Sequence, residues 1–159
     1  MMKENYDAIF STDIATIGIQ LENSKLIKVD YLTNKNNKKP TSKLAENIQN
    51  KIEKYLRDSS KTNNLKIDVK LDVTPFQEKV LNQLVLIPYG ETKTYGEIAK
   101  KLKTSPRAVG NACRRNPVPI VIPCHRVVAS KGLGGYSGAT EGETHDIKRH
   151  LLKLEGVSY

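Results

Sequence analysis

The sequence predicts an α/β chain in two parts, a small sheet with one helix over residues 1–72 and a mainly helical part over residues 73–159. Three observations carry that reading. Residues Ile14 to Leu32 alternate loosely and are rich in Ile, Val, Thr and Tyr, as half-buried strands are. Leu44, Ile48, Ile52 and Leu56 recur every four residues among Lys, Glu, Asn and Gln, the mark of a helix with one buried stripe. The composition then changes at Asp72 to Pro75, after which helix-capping signals repeat. At 159 residues the chain can hold one domain or two small ones and bury a real core.

In the first part, Ile14 to Leu21 and Leu26 to Leu32 read as strands joined by a turn at Glu22-Asn23-Ser24-Lys25. A Lys- and Asn-rich loop follows from Asn34 to Pro40, then the helix. Ser59 to Asn64 reads as a polar loop, and Leu65 to Leu71 alternates as a third strand. Nothing in this part reads as chemistry.

In the second part, Thr74-Pro75-Phe76-Gln77 is a capping box with proline at the first helical position, opening a helix that should bury Phe76, Val80, Leu81 and Leu84. Pro88-Tyr89-Gly90 is a turn by composition. Thr94-Tyr95-Gly96-Glu97 opens a second helix to about Leu102, and Ser105-Pro106 a third to about Arg115, stopped by Asn116-Pro117. Two short helices a few residues apart read as a helix-turn-helix or as an ordinary helical hairpin. The second carries Arg107, Arg114 and Arg115 among small Ala108, Gly110 and Ala112, which suits close approach to a phosphate-lined groove. A last helix runs from Ile147 to Leu154 with Ile147, Leu151 and Leu152 inward.

The net charge of +9, from 26 Lys and Arg against 17 Asp and Glu, points toward a polyanionic partner such as nucleic acid, although many lysine-rich soluble proteins bind nothing acidic. Only Cys113 and Cys124 occur, so no disulfide framework is implied, and their spacing with His125, His145 and His150 fits no zinc pattern. No window approaches a transmembrane span, and a reducing cytoplasm is the expected compartment.

Ile120-Val121-Ile122-Pro123-Cys124-His125-Arg126-Val127-Val128 is the stretch that carries chemistry. Apolar runs on both sides should bury the backbone and hold Cys-His-Arg rigidly where the chain bends. A thiol, an imidazole and a guanidinium are the parts of an activated sulfur nucleophile, because the imidazole takes the proton and positive charge stabilises the thiolate. Adjacent side chains do not face each other, so a water or a bend after Pro123 must bring the imidazole into play. A buried structural cysteine beside a surface histidine is the alternative. Glycine-rich Gly132 to Gly138 follows, either a loop that meets a ligand with its backbone or a plain flexible one.

Together these residues resemble the O6-alkylguanine-DNA alkyltransferases, the methylated-DNA–protein-cysteine methyltransferases. The resemblance runs from Thr74-Pro75-Phe76-Gln77 through Ile87-Pro88-Tyr89-Gly90-Glu91-Thr92, Thr94-Tyr95-Gly96-Glu97, Arg107-Ala108-Val109-Gly110 and Asn116-Pro117 to Ile122-Pro123-Cys124-His125-Arg126-Val127-Val128. It closes with Gly135-Tyr136-Ser137-Gly138 and Leu154-Glu155-Gly156. It implies a ribonuclease-H-like N-terminal domain over 1–72 and a DNA-binding alkyltransferase domain over 73–159. The implied activity is single-turnover repair, in which duplex DNA is bound by the helix-turn-helix and the damaged guanine is flipped into a pocket.

The resemblance also assigns roles. Cys124 is the alkyl acceptor, His125 its base through a water, and Glu155 the group that orients His125. Asn116 fixes the local backbone and the thiol, and Tyr95 donates to the guanine ring as charge develops there. Arg107 fills the space left by the flipped nucleotide, with Ala108, Gly110, Asn111, Arg114 and Arg115 completing the DNA-binding set. Tyr136, Ser137 and the Val127-Val128 backbone line the base pocket. Arg126 is either structural or turned to phosphate. The implied partner is double-stranded DNA containing O6-alkylguanine, with no cofactor, no metal, no membrane and a monomeric chain. No cysteine precedes Cys113, so the N-terminal zinc of some relatives is not expected. Ala139 to Asp146 makes one loop about five residues longer than the family pattern, and Tyr95 to Arg107 is about two shorter than in some relatives. A lesion-recognition protein that transfers nothing is opposed by the presence of Cys124, and a cysteine hydrolase by the lack of an oxyanion hole and acyl pocket.

Overall fold

The computed structural model describes residues 5–33, 36–57, 65–134 and 143–158. The chain divides into two compact units, Met1–Asp72 and Val73–Tyr159.

In the first unit, β1 (Ala8–Ser11), β2 (Thr16–Glu22) and β3 (Lys25–Leu32) form an antiparallel sheet in the order β1-β2-β3. Asn23 and Ser24 join β2 to β3 with φ of 50° and 65°, the two-residue turn whose twist matches its strands. Helix α1 (Lys43–Arg57) buries Ala45, Ile48, Ile52, Tyr55 and Leu56, on the stripe read from the sequence.

Three expectations for this unit are corrected. The first, β1, was missed, although Tyr6, Ala8 and Phe10 are buried at the alternating spacing of a strand. Second, the following strand starts at Thr16 rather than Ile14, because the Thr12 side chain bonds the backbone of Ala15 and turns Ile14 and Ala15 out of the ladder. Third, Leu65 to Leu71 makes a single parallel bridge, Val69 to Leu26, instead of a strand. Beside that bridge Gln20 pairs with Lys28 and Leu21 with Leu26, so Ile27 is an extra residue that bulges β3. The polar loop read at Ser59 to Asn64 lies outside the described residues.

In the second unit, α2 (Pro75–Val85) opens with both halves of its capping box: Gln77 N donates to Thr74 Oγ1 at 3.1 Å and Thr74 N to Gln77 Oε1 at 3.0 Å. Val80, Leu81 and Leu84 are buried, but Phe76 is 37% exposed, a correction. It stands in the opening turn of the helix, before the packing that begins at Val80.

Strand β4 (Lys93–Thr94) leads directly into α3 (Tyr95–Leu102), and α4 (Pro106–Arg114) follows after Lys103, which takes the left-handed conformation with φ 57°. Thr94 and Ser105 cap these helices from Glu97 N at 3.0 Å and Ala108 N at 3.1 Å. Only this half of the expected Thr94–Glu97 box is seen, with the Glu97 carboxylate 3.8 Å from Lys93. Helices α2, α3 and α4 pack on one another. A 3₁₀ turn, Cys124–Arg126, runs into β5 (Val127–Val128), which pairs parallel to β4. Helix α5 (Glu143–Leu154) starts four residues ahead of the expected Ile147, so part of the stretch read as loop is helical; Ile147, Leu151 and Leu152 are buried as expected. No helix among the described residues is long and apolar enough to cross a membrane.

The Ser105 cap holds the start of α4. Ser105→Ala should lower the unfolding free energy by about 1 kcal/mol, read from urea denaturation, whereas Ser105→Asp should retain most of it.

Candidate active site

Cys124 is 5% exposed and sits at the start of the 3₁₀ turn, with Cys124 N donating to Ile122 O at 2.8 Å. That turn is built by the loop before it. Asn116 Nδ2 donates to Ile122 O at 2.9 Å while Asn116 Oδ1 accepts from Val118 N at 3.0 Å, so one side chain straps both ends of the loop. Inside the strap, Ile120 has φ 74°, a conformation that costs a β-branched residue of the order of 1–3 kcal/mol and persists only where its surroundings impose it. Asn116 thus bonds the backbone of the loop that leads into Cys124.

His125 is fully buried, and its Nε2 lies 3.0 Å from Glu155 Oε2. A carboxylate only accepts, so Nε2 carries the proton and Nδ1 is left with its lone pair. Nδ1 is buried and has no hydrogen-bond partner among the described residues. Burial holds the imidazole below its ordinary range, against the opposing pull of Glu155; the Arg126 and Lys148 charges lower it further.

Glu155 is shared. Arg126 Nε donates to its Oε1 at 2.8 Å and Arg126 NH2 to its Oε2 at 2.8 Å, a two-pronged pairing, while NH1 donates to Ile87 O at 2.8 Å. Arg126 is 4% exposed and lies 5.8 Å from the centre of the Tyr89 ring, whose hydroxyl donates to Leu154 O at 3.2 Å. Of the two readings of Arg126, the phosphate-facing one is excluded by this burial.

Lys148 was assigned no role from the sequence, yet it is a charged side chain with no exposed surface. Its Nζ donates to Val127 O at 2.6 Å and reaches Tyr95 Oη at 3.4 Å, at the long end for a hydrogen bond. Burial lowers its pKa to about 8, partly opposed by the neighbouring thiols of Cys124 and Cys113. The signal was available: Lys148 lies three and four residues before the buried Leu151 and Leu152, on the inward stripe. Val127 and Val128 are buried in β5, and the Val127 carbonyl is already engaged by Lys148. Burial pushes the Cys113 thiol far up, so it packs as an apolar group.

On α4, Arg107, Asn111 and Arg114 are exposed, as is Arg115 at its C-cap, while Val109, Ala112 and Cys113 are buried. Arg107, Asn111 and Arg114 are spaced i, i+4, i+7 and form one outward face; Ala108 and Gly110 are half-buried beside it. Tyr136 and Ser137 lie outside the described residues. No group of three or more His, Cys, Asp or Glu among the described residues could hold a metal ion.

The chain matches the family model for the DNA-binding domain of 6-O-methylguanine DNA methyltransferase over residues 75–157. It is 38% identical over 140 residues to the methylated-DNA–protein-cysteine methyltransferase of Archaeoglobus fulgidus, covering 87% of this chain and 91% of that one. Among solved structures, it superimposes on the Mycobacterium tuberculosis O6-methylguanine methyltransferase with a TM-score of 0.78 at 30% identity, covering 92% of this chain and 90% of that one. Mycobacterium tuberculosis OGT in complex with DNA gives a TM-score of 0.76 at 29% identity over the same shares.

Two predictions test the buried charges. Arg126→Met leaves the Glu155 carboxylate buried without its main partner and should cost about 3–5 kcal/mol of stability, which Arg126→Met with Glu155→Gln should largely restore in denaturant titrations. Lys148 has a folded pKa of about 8 against an ordinary 10.5, so the unfolded chain keeps its proton to higher pH. Its stabilising contribution is complete above 10.5 and lost as pH falls through 8. Lys148→Met should flatten the dependence of stability on pH across that window.

Proposed function

The chain belongs to the O6-methylguanine DNA methyltransferase family, and on that premise we propose how its residues divide the reaction. The protein repairs DNA by transferring an alkyl group from O6 of guanine to one of its own cysteines, each chain acting once. We assign Cys124 as that cysteine. The observation that carries the assignment is the His125 tautomer: Glu155 holds Nε2–H, so Nδ1 is the nitrogen free to accept a proton within the same turn as the thiol.

His125 Nδ1 takes the Cys124 proton through a water, and the imidazolium that forms is stabilised by the Glu155 carboxylate. The sulfur electron pair then attacks the alkyl carbon in line, the carbon–O6 bond breaks, and its pair passes to the guanine. Tyr95 donates a hydrogen bond to the ring as that charge develops, with the Lys148 ammonium beside its hydroxyl. A thioether offers no leaving group for a reverse step, so the site is spent.

For DNA, α3 and α4 are read as a helix-turn-helix whose outward face of Arg107, Asn111, Arg114 and Arg115 meets the duplex. Arg107, at the start of α4, takes the space of the flipped nucleotide and offsets part of an unstacking cost of about a few kcal/mol. Tyr136 and Ser137 are assigned to the base pocket from the family pattern, and the N-terminal sheet and helix to the ribonuclease-H-like type. A thiol that must stay reduced fits the cytoplasm, and the reaction as written needs one chain and no cofactor.

Intact mass after incubation with duplex DNA containing O6-methylguanine should rise by one methyl group per chain, mapped to Cys124, and Cys124→Ala should gain none while keeping its DNA affinity. Lesion-specific binding with no gain in wild-type mass would make the protein a recognition module instead. Arg107→Ala should slow repair of duplexes at least tenfold more than reaction with free O6-benzylguanine; equal losses would remove Arg107 from the duplex.

A further inference from the structure

His145 has no part in the reaction just described. It lies on α5, half-buried, with Nε2 2.8 Å from the carbonyl oxygen of Gly134. A carbonyl only accepts, so the imidazole donates this bond and ties α5 to the chain that follows β5.

The tied residue lies against Tyr95. Gly134 has φ 77°, and a Cβ there would come within 2.9 Å of Tyr95 Cε2 and 3.2 Å of its hydroxyl. Backbone without a side chain therefore packs directly on the phenol. At the opposite edge of the ring, a Cβ on Gly110 would lie 4.0 Å from Cδ1 and Cε1. Tyr95 is thus bracketed by two glycines, one in α4 and one in the segment that His145 holds. That segment is fixed further back by a bridge between Ala129 and Gly132 and by Leu133 packed with Val128 and Leu152. Its last described residue, Gly134, is secured by the imidazole. Lys148 stands three residues after His145, on the same face of α5, and reaches the hydroxyl of the same tyrosine.

We propose that His145 is a positioning residue for the transfer reaction: by tying the Gly134 carbonyl to α5, it fixes the angle at which the Tyr95 phenol meets the guanine ring. It touches no reacting atom and acts through Gly134 on Tyr95. A reacting group displaced by about 1 Å can lose on the order of 100-fold in rate, and a loosened bracket should lose about tenfold. The inference rests on the role given to Tyr95 above.

The test is a double-mutant cycle on single-turnover rates with methylated duplex DNA, using wild type, His145→Ala, Tyr95→Phe and the double variant, with thermal unfolding of each. His145→Ala should be about tenfold slower than wild type, and should cost nothing further in the Tyr95→Phe background. His145→Gln, which keeps a donor at similar reach, should stay within about twofold of wild type. Equal slowing by His145→Ala in both backgrounds, or no slowing, overturns the proposal. Should the alanine variant fail to fold, His145→Gln and His145→Asn replace it: a clear advantage for the longer donor supports the tie, and equal rates overturn it. Failure of wild type to methylate Cys124 would instead defeat the underlying reaction, which separates the two.

Discussion

The Glu155 carboxylate is the constraint on which the active unit depends. It accepts three buried hydrogen bonds, one from His125 and two from Arg126, and so joins the end of α5 to the turn that carries Cys124. Arg126 extends the link to Ile87 just beyond α2. The arginine neutralises the carboxylate, which lets the imidazole hydrogen-bond to it without itself being charged at rest. A histidine facing an unshared buried carboxylate would be drawn towards the protonated form and lose its capacity as a base. Burial is the main force holding the His125 imidazole below its ordinary range, and the Arg126 charge adds to it against the pull of Glu155.

Two helices divide the remaining work. α4 turns its buried face to the core and its arginine face outward, so the face proposed to meet DNA and the packing face are different sides of nine residues. α5 supplies His145 and Lys148 and leads directly into Glu155, placing one residue on the Gly134 segment, one beside Tyr95 and one on His125. His125, Tyr95 and their supports are therefore referred to a common helix.

Much of this was legible in the sequence where the physics is local. Capping fixed the starts of α2, α3 and α4, because Thr74, Thr94 and Ser105 bond backbone only three residues away. The Cys124-His125 chemistry was legible as residue types, while its tautomer was not, since that depends on Glu155 thirty residues on. Arg126 stayed ambiguous for the same reason. Phe76 was misplaced because periodicity says which face a residue shares, but not whether anything covers that end of the helix. β1 is only four residues long, too short for its alternation to stand out from the sequence. Lys148 was passed over because a lysine is ordinarily read as solvent-facing, although its position on the inward stripe of α5 was plain.

The pairing of β4 with β5 is only two residues long on each side, Lys93 with Val127 and Thr94 with Val128. Yet Thr94 immediately precedes Tyr95, and Val127 follows the Cys124 turn. The ladder therefore ties the start of α3 to the Cys124 turn through main-chain bonds, beside the side-chain ties of Lys148 and His145. The side chains of these four ladder residues can accordingly change without breaking that link, provided that none becomes proline and the same space stays filled.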